Sequence, residues 1–364
     1  MVKITSLVVS VLTAASLAHP GHHEDNGPNP VAKRAFLSQS RRALDACAGH
    51  LKARGTVEKA EAHRRALIKK YMKKGLRARD TDEVLAKDHH ANLTLMTMNP
   101  DSFVFASNNT CVLSPEGEIG PFWVKGELVR EDIVDNEPGV VNYMHAQFID
   151  VNTCEPIQGI YWNVWNCNST GAYSGVQSDS NGNGDDAANL DRTSLRGIQK
   201  TNHHGVAFFK SIFPGHYNGR ATHVHVVAHT NATVLKNHTL AGGSVSHIGQ
   251  LFFDQDLITE VEATYPYNTS NINITLNSED RVFAVETEDT ESDPVFNYVL
   301  LGDSVSDGIF SWLTIGVNTT ATYSTSYAAY LAENGGVSNG DNAAVGAGGG
   351  GGTPAGTPTP ASTA

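Results

Sequence analysis

The strongest constraint on this chain is a series of short β-prone segments, each closed by residues that break strands. Val141 to Val151, Gly159 to Trp165, Gly205 to Ile212, Thr222 to Ala228, Gln250 to Phe253 and Asn273 to Leu276 are rich in β-branched and aromatic residues. Gly, Pro, Asn and Asp separate them. The first kind of side chain suits a pleated, half-buried surface, and the second kind favours turns. Several short strands with loop punctuation and few helix signals predict a mainly β domain, a sandwich or a barrel, over residues 111–331. With 364 residues, 40% of them hydrophobic, the chain is long enough to bury a full core.

The flanks read differently. Lys3, the apolar run Ile4 to Leu17 and the small-x-small Ser16-Leu17-Ala18 predict a secretory signal peptide over residues 1–18. Residues 19–34 are polar, rich in Pro and Gly, and end in Lys33-Arg34, the pattern of a short pro-segment. Residues 35–91 turn helical, with Leu51, Leu67, Ile68, Tyr71 and Met72 recurring at three-to-four spacing. Residues 33–88 hold 16 Lys and Arg against 7 Asp and Glu in a chain of net charge −12. The basic segment should therefore pack on the acidic β domain, or form a helix pair that dimerises. Residues 332–364 decay into a low-complexity Gly/Thr/Pro-rich tail, expected to be disordered. No stretch of 18 apolar residues follows the first two dozen positions, so no membrane span is expected. Nucleic acid is not an expected partner of an exported acidic chain.

Export agrees with eight N-x-[ST] sequons, at Asn92, Asn108, Asn168, Asn231, Asn237, Asn268, Asn273 and Asn318. It also agrees with an even number of cysteines: Cys47, Cys111, Cys154 and Cys167. In an oxidising compartment four cysteines allow three connectivities. Cys154 and Cys167 flank a strand-like segment and could close a local loop, leaving Cys47 for Cys111. Ser178 to Ala187 (SDSNGNGDDA) has the composition of a calcium loop without the spacing or closing Glu of an EF-hand, and reads as a flexible surface loop.

One stretch, Arg196 to His229, carries chemistry. His223 and His225 lie at i and i+2 among Val224, Val226, Val227 and Ala228. On a strand, residues two apart share a face. Both imidazoles thus aim at one spot, with Tyr217 in the preceding turn, forming a plausible metal half-site. An H-x-H pair also arises by chance among 16 histidines.

An ordered set of motifs extends the pattern: Gly120-Pro121-Phe122-Trp123, Trp165 before Gly171-Ala172-Tyr173-Ser174, Arg196-Gly197 with Thr201 and Gly205, Pro214-Gly215-His216-Tyr217, and Arg220-Ala221-Thr222-His223-Val224-His225. Over roughly residues 115–260 this set resembles the intradiol ring-cleavage dioxygenases, and the wider layout resembles their secreted fungal branch. The resemblance implies a β-sandwich catalytic domain and Fe(III) as cofactor, with Tyr173, Tyr217, His223 and His225 as ligands. Fe(III) is a hard cation that favours anionic oxygen donors, and two tyrosinates offset two of its three charges. It further implies a small aromatic diol and O2 as partners. Tyr217 would be the tyrosinate that the binding diol displaces. Arg220 would lie beside the ring, where a guanidinium stays charged when desolvated, and Gln250 would line the substrate pocket. A homodimer through the N-terminal helices is a further extension of the resemblance. Phe122-Trp123 stands where the family often has Tyr, and Asn202 where it often has Asp.

Two other readings compete. One is a non-catalytic, secreted β-sandwich that binds cell-wall or phenolic material through its basic helical arm. The other is a different H-x-H metal enzyme, such as a superoxide dismutase, recruiting His203, His204, His229 or His247.

Overall fold

The computed structural model describes residues 30–72, 110–112, 120–181, 183, 185–287, 292–321, 328–332 and 335–338. Residues 1–18, expected to form a signal peptide, residues 73–91 and the tail beyond residue 338 lie outside the described residues. Three helices come first: α1 (Pro30–Ala46), α2 (Ala48–Ala53) and α3 (Thr56–Tyr71). The first of them begins within the stretch read as a pro-segment. Twelve strands follow among the described residues: β1 (Thr110–Val112), β2 (Val124–Lys125), β3 (Val141–Asp150), β4 (Tyr161–Trp165), β5 (Arg196–Lys200), β6 (Val206–Ile212), β7 (His223–Val234), β8 (Leu240–Phe252), β9 (Asn297–Leu300), β10 (Ile309–Val317), β11 (Ala329–Ala332) and β12 (Gly335–Ser338). Helices α4 (Gln255–Glu262) and α5 (Arg281–Thr287) lie between β8 and β9. No helix of the described residues is long and apolar enough to cross a membrane.

The strands form two larger sheets and a small one. The first runs β1-β10-β3-β6, with β9 also on β10; the second runs β5-β4-β7-β8; the third is β12-β11-β2. Period-2 alternation decides which side chains meet. Met144, Ala146 and Phe148 of β3 and Phe209 of β6 share one buried cluster with Trp162 and Val164 of β4 and Val224, Val226 and Ala228 of β7. Trp162 bridges the two sheets, edge-on to Phe148 at 5.7 Å and to Phe209 at 5.0 Å between ring centroids.

The outer face of the first sheet is covered by the N-terminal helices. Ile68, Leu67 and Tyr71 of α3 pack with Phe208, Phe310 and Tyr143, and Tyr71 stacks on Tyr143 at 4.0 Å. Leu37 and Leu44 of α1 pack with Ile149 and Val151. The basic segment therefore spends its apolar stripe on the β domain. The disulfide joins Cys47 to Cys154, and Cys167 is a buried free thiol. This overturns both pairs expected from the sequence: the bridge closes a long loop between helix and sheet, not a local one.

Two further expectations fail. Asn273 to Leu276 is not a strand; Ile274 and Leu276 are about 40% exposed, and the segment pairs with no strand among the described residues. The tail boundary at 332 falls inside the β11–β12 hairpin, whose β12 pairs along β11 from Ala329↔Ser338 to Ala332↔Gly335.

Candidate metal centre

The second sheet turns its other face away from the shared core, and the candidate site lies there. Cross-strand pairing places Arg196, Trp165, His225 and Gln250 directly opposite one another along β5, β4, β7 and β8. Residues so paired point to the same face. His223 is one step along β7, opposite Phe252. The strand that feeds Val224, Val226 and Ala228 into the core must therefore present His223 and His225 on the reverse.

The two tyrosines arrive on separate turns that interlock through glycine. Gly171 has φ +91°, and a Cβ there would stand 2.2 Å from the His216 carbonyl oxygen. A Cβ on Gly215 would stand 2.5 Å from the Ser169 carbonyl oxygen. Only residues without side chains allow this approach. It accounts for a glycine in both the Gly-Ala-Tyr and the Pro-Gly-His-Tyr motif. Behind the second turn, His216 shares hydrogen bonds with the Glu262 carboxylate at 2.8 Å and the Ile272 carbonyl at 2.9 Å.

Four donor atoms converge. Tyr173 Oη donates to Tyr217 Oη at 3.3 Å, Tyr217 Oη lies 3.1 Å from His223 Nε2, and His223 Nε2 lies 3.1 Å from His225 Nε2. Donors about 2.1 Å from a shared ion, at right angles, stand about 3 Å apart. All three separations match that spacing. His223 Nδ1 lies 2.6 Å from the Ala221 carbonyl oxygen. A carbonyl only accepts, so this nitrogen carries the proton and Nε2 keeps its lone pair for a metal. Trp165 lies flat on His225, with centroids 4.8 Å apart and planes 2° from parallel.

The donor set fits a hard, highly charged cation. Burial drives the Tyr173 phenol well above its ordinary range, and Tyr217 beside it acts in the same sense. Burial also raises Tyr217, against the pull of the Arg220 charge. Burial, then Arg220, holds His223 far below the usual imidazole value. Left to itself the pocket keeps the phenols protonated and the His223 imidazole neutral; a trivalent ion would reverse the balance for the phenols. Among the described residues no group of three or more His, Cys, Asp or Glu is placed to hold a metal ion, so a centre here depends on the two phenols as well as the two imidazoles. His229 and His247 are buried elsewhere on β7 and β8, and His203 and His204 occupy the turn between β5 and β6.

Arg220 and Gln250 meet as well: the guanidinium Nη2 donates to Gln250 Oε1, and Nε donates to Asp280 Oδ2 at 2.9 Å. All three side chains are buried. Asp280 escaped sequence reading, although an Asp immediately before the helical Arg281–Thr287 is an N-cap signal. Asn181 and Asn189 escaped too. Asn181 accepts from the Tyr173 backbone N–H and donates to its carbonyl, both at 2.8 Å, and Asn189 donates to the same carbonyl at 2.8 Å. Asn181, inside the stretch read as a flexible surface loop, and Asn189, just beyond it, clamp the Tyr173 turn.

Scans against protein-family models and against curated proteins find no match. Among solved structures, the chain is similar to an intradiol ring-cleavage dioxygenase from Tetranychus urticae, with 31% identity and a TM-score of 0.47, covering 57% of this chain and 95% of that one. It is similar to the dioxygenase domain of a dioxygenase–carbohydrate-binding fusion from Streptomyces sp. SirexAA-E, with 21% identity and a TM-score of 0.34, over 54% of this chain and 92% of that one. It is also similar to catechol 1,2-dioxygenase from Pseudomonas arvilla C-1, with 17% identity and a TM-score of 0.36, over 58% and 65% respectively.

Proposed function

We propose that this chain is an exported, non-haem Fe(III) dioxygenase on a β-sandwich scaffold, opening catechol- or hydroxyquinol-type aromatics between their two hydroxyls with O2 to give muconate-type diacids. The observation that carries this reading is the convergence of two phenol oxygens and two imidazole nitrogens at successive separations of 3.3, 3.1 and 3.1 Å. Tyr173, Tyr217, His223 and His225 would hold the ion. When bound, Fe(III) supplies the Lewis acidity and electron-accepting capacity that make a coordinated diol reactive towards O2.

The chain's own residues do the rest. Tyr217 Oη sits between Tyr173 Oη and His223 Nε2. It is placed to take a proton from the incoming diol and to move aside as a neutral phenol. Its burial favours that neutral form. Arg220, fixed through Nε and Nη2, presents a permanent positive charge beside the ring, where negative charge develops as the ring reacts. Gln250 holds the far end of that guanidinium and lines the same pocket. Phe122, with its ring centroid 5.0 Å from that of Tyr173, helps keep water from the metal side. Dry, preorganised surroundings strengthen each of these interactions.

The test is direct. Purified protein should hold about one iron per chain, show a visible tyrosinate-to-iron charge-transfer band, and take up one O2 per catechol consumed. Tyr173→Phe should change the colour. An iron-replete colourless protein, or a Tyr173→Phe variant with an unaltered spectrum, would overturn the proposal.

A further inference from the structure

Asp280 stands at the junction of three structures. Its Oδ1 accepts the backbone N–H groups of Val282 at 2.7 Å and Phe283 at 2.9 Å, capping α5. Its Oδ2 accepts Arg220 Nε at 2.9 Å and the Ala221 backbone N–H at 2.7 Å. The carbonyl of the same Ala221 receives His223 Nδ1 at 2.6 Å. One carboxylate therefore grips the guanidinium on the substrate side and, through its N–H, the residue whose carbonyl, one peptide group on, orients an imidazole on the metal side. Asp280 is 1% exposed and Arg220 is fully buried, so this is a desolvated pair with four donors converging on two oxygens. A buried guanidinium without a counter-charge is costly, and a carboxylate satisfied on every side is hard to displace.

We propose that Asp280 is a positioning residue for both halves of the site: it fixes Arg220 directly and the ring of His223 through Ala221. The inference rests on the reading that Arg220 serves the reacting ring and His223 the iron. Asp280 reaches the site from the segment between β8 and β9, outside the run of motifs that carries the ligands. Asparagine at this position would offer one oxygen where two are engaged, and would turn an N–H towards Arg220 or towards the amides of α5. The guanidinium would then lose both its charge partner and its fixed bearing. Ala221 would lose the anchor on its N–H, which loosens the following carbonyl that sets the His223 tautomer and ring plane.

The experiment compares full-length wild type, Asp280→Asn, Arg220→Met and the double variant. In Asp280→Asn, kcat should fall about 100-fold with a smaller change in KM, the loss expected when a charge-stabilising group is displaced by about an ångström. Its iron dissociation constant should rise about 10- to 100-fold, as for other outer-shell partners of metal-binding histidines, and the charge-transfer band should shift. In the Arg220→Met background, Asp280→Asn should lower kcat little further, yet still weaken iron binding. That split separates positioning from a general loss of stability. If Asp280→Asn does not fold, Asp280→Ser, which keeps an acceptor for α5 while removing the charge, takes its place in the same measurements. A coloured, active wild type whose Asp280 variants keep the wild-type kcat, band and iron affinity would refute the role of Asp280 alone. A wild type without iron or O2 uptake would refute the functional reading, and this inference with it.

Discussion

Trp165 and His225 form the flattest contact in the site, parallel to within 2° at 4.8 Å. The two residues are directly opposed on β4 and β7, so the stack is dictated by strand register and not by a loop. It restrains the imidazole from turning about its own axis. Trp165→Phe should keep the fold but weaken iron retention by about 10-fold, read from iron content after dialysis against a chelator. Trp165→Ala should also cost about 3–5 kcal/mol of stability, read from a denaturant titration.

The clamp on the Tyr173 turn makes a second prediction. Asn181 and Asn189 together make three hydrogen bonds to the Tyr173 backbone. Asn181→Ala strands the buried Tyr173 N–H, at about 1–3 kcal/mol, whereas Asn189→Ala leaves the Tyr173 carbonyl its bond from Asn181 and should cost less. Because the freed turn carries a proposed ligand, the charge-transfer band should broaden and weaken before global unfolding begins. Recording the visible band and the far-ultraviolet signal during one thermal ramp checks this.

Acid should loosen the join between the sheets. His247 Nε2 accepts the Asn318 backbone N–H at 3.1 Å, tying β8 to the end of β10. Burial pushes its pKa down to about 3, and that of His229 down to about 4. A folded-state value below the unfolded one contributes stability that is present above about pH 6.5 and is lost as pH falls. For His247 the loss reaches about 2 kcal/mol at pH 5. The melting temperature should drop between pH 7 and pH 4, and His247→Gln should make that drop shallower.

The Cys47–Cys154 bridge closes a separation of 107 residues. Loop-closure entropy gives such a crosslink about 4–5 kcal/mol. A Cys47→Ser/Cys154→Ser double variant should lose about that much in a denaturant titration. It should also expose Tyr71 and the apolar residues of α1 and α3 to proteolysis before the β core is cut.

Much of this was legible in the sequence, for a local reason. Alternation along Val141–Asp150 and His223–Ala228 writes both faces of a strand into consecutive letters, so the core face and the ligand face emerge together. The set Tyr173, Tyr217, His223, His225, Arg220 and Gln250 does gather in one place. What escaped is set by contacts distant in sequence. Cys154 bonds Cys47 and not the nearer Cys167 because the α1–α2 junction packs against Ile149 and Val151 at the end of β3. Asn181 looked like solvent-facing polarity because its partner is a backbone eight residues away. Ile272, Ile274 and Leu276 alternate as a strand would, yet among the described residues no strand pairs with them. β10, the central partner of β3, was passed over although Ile309–Val317 is largely apolar.

The small β2–β11–β12 sheet brings Ala329 into one buried cluster with Phe122, Trp165, Tyr173 and Tyr217. The shell around the tyrosines is thus drawn from both ends of the domain. During synthesis all four proposed donors leave the ribosome about a hundred residues ahead of the strand that packs against the tyrosines. A chain cut short of residue 328 would carry all four proposed donors and lack the Ala329 that packs in their shell.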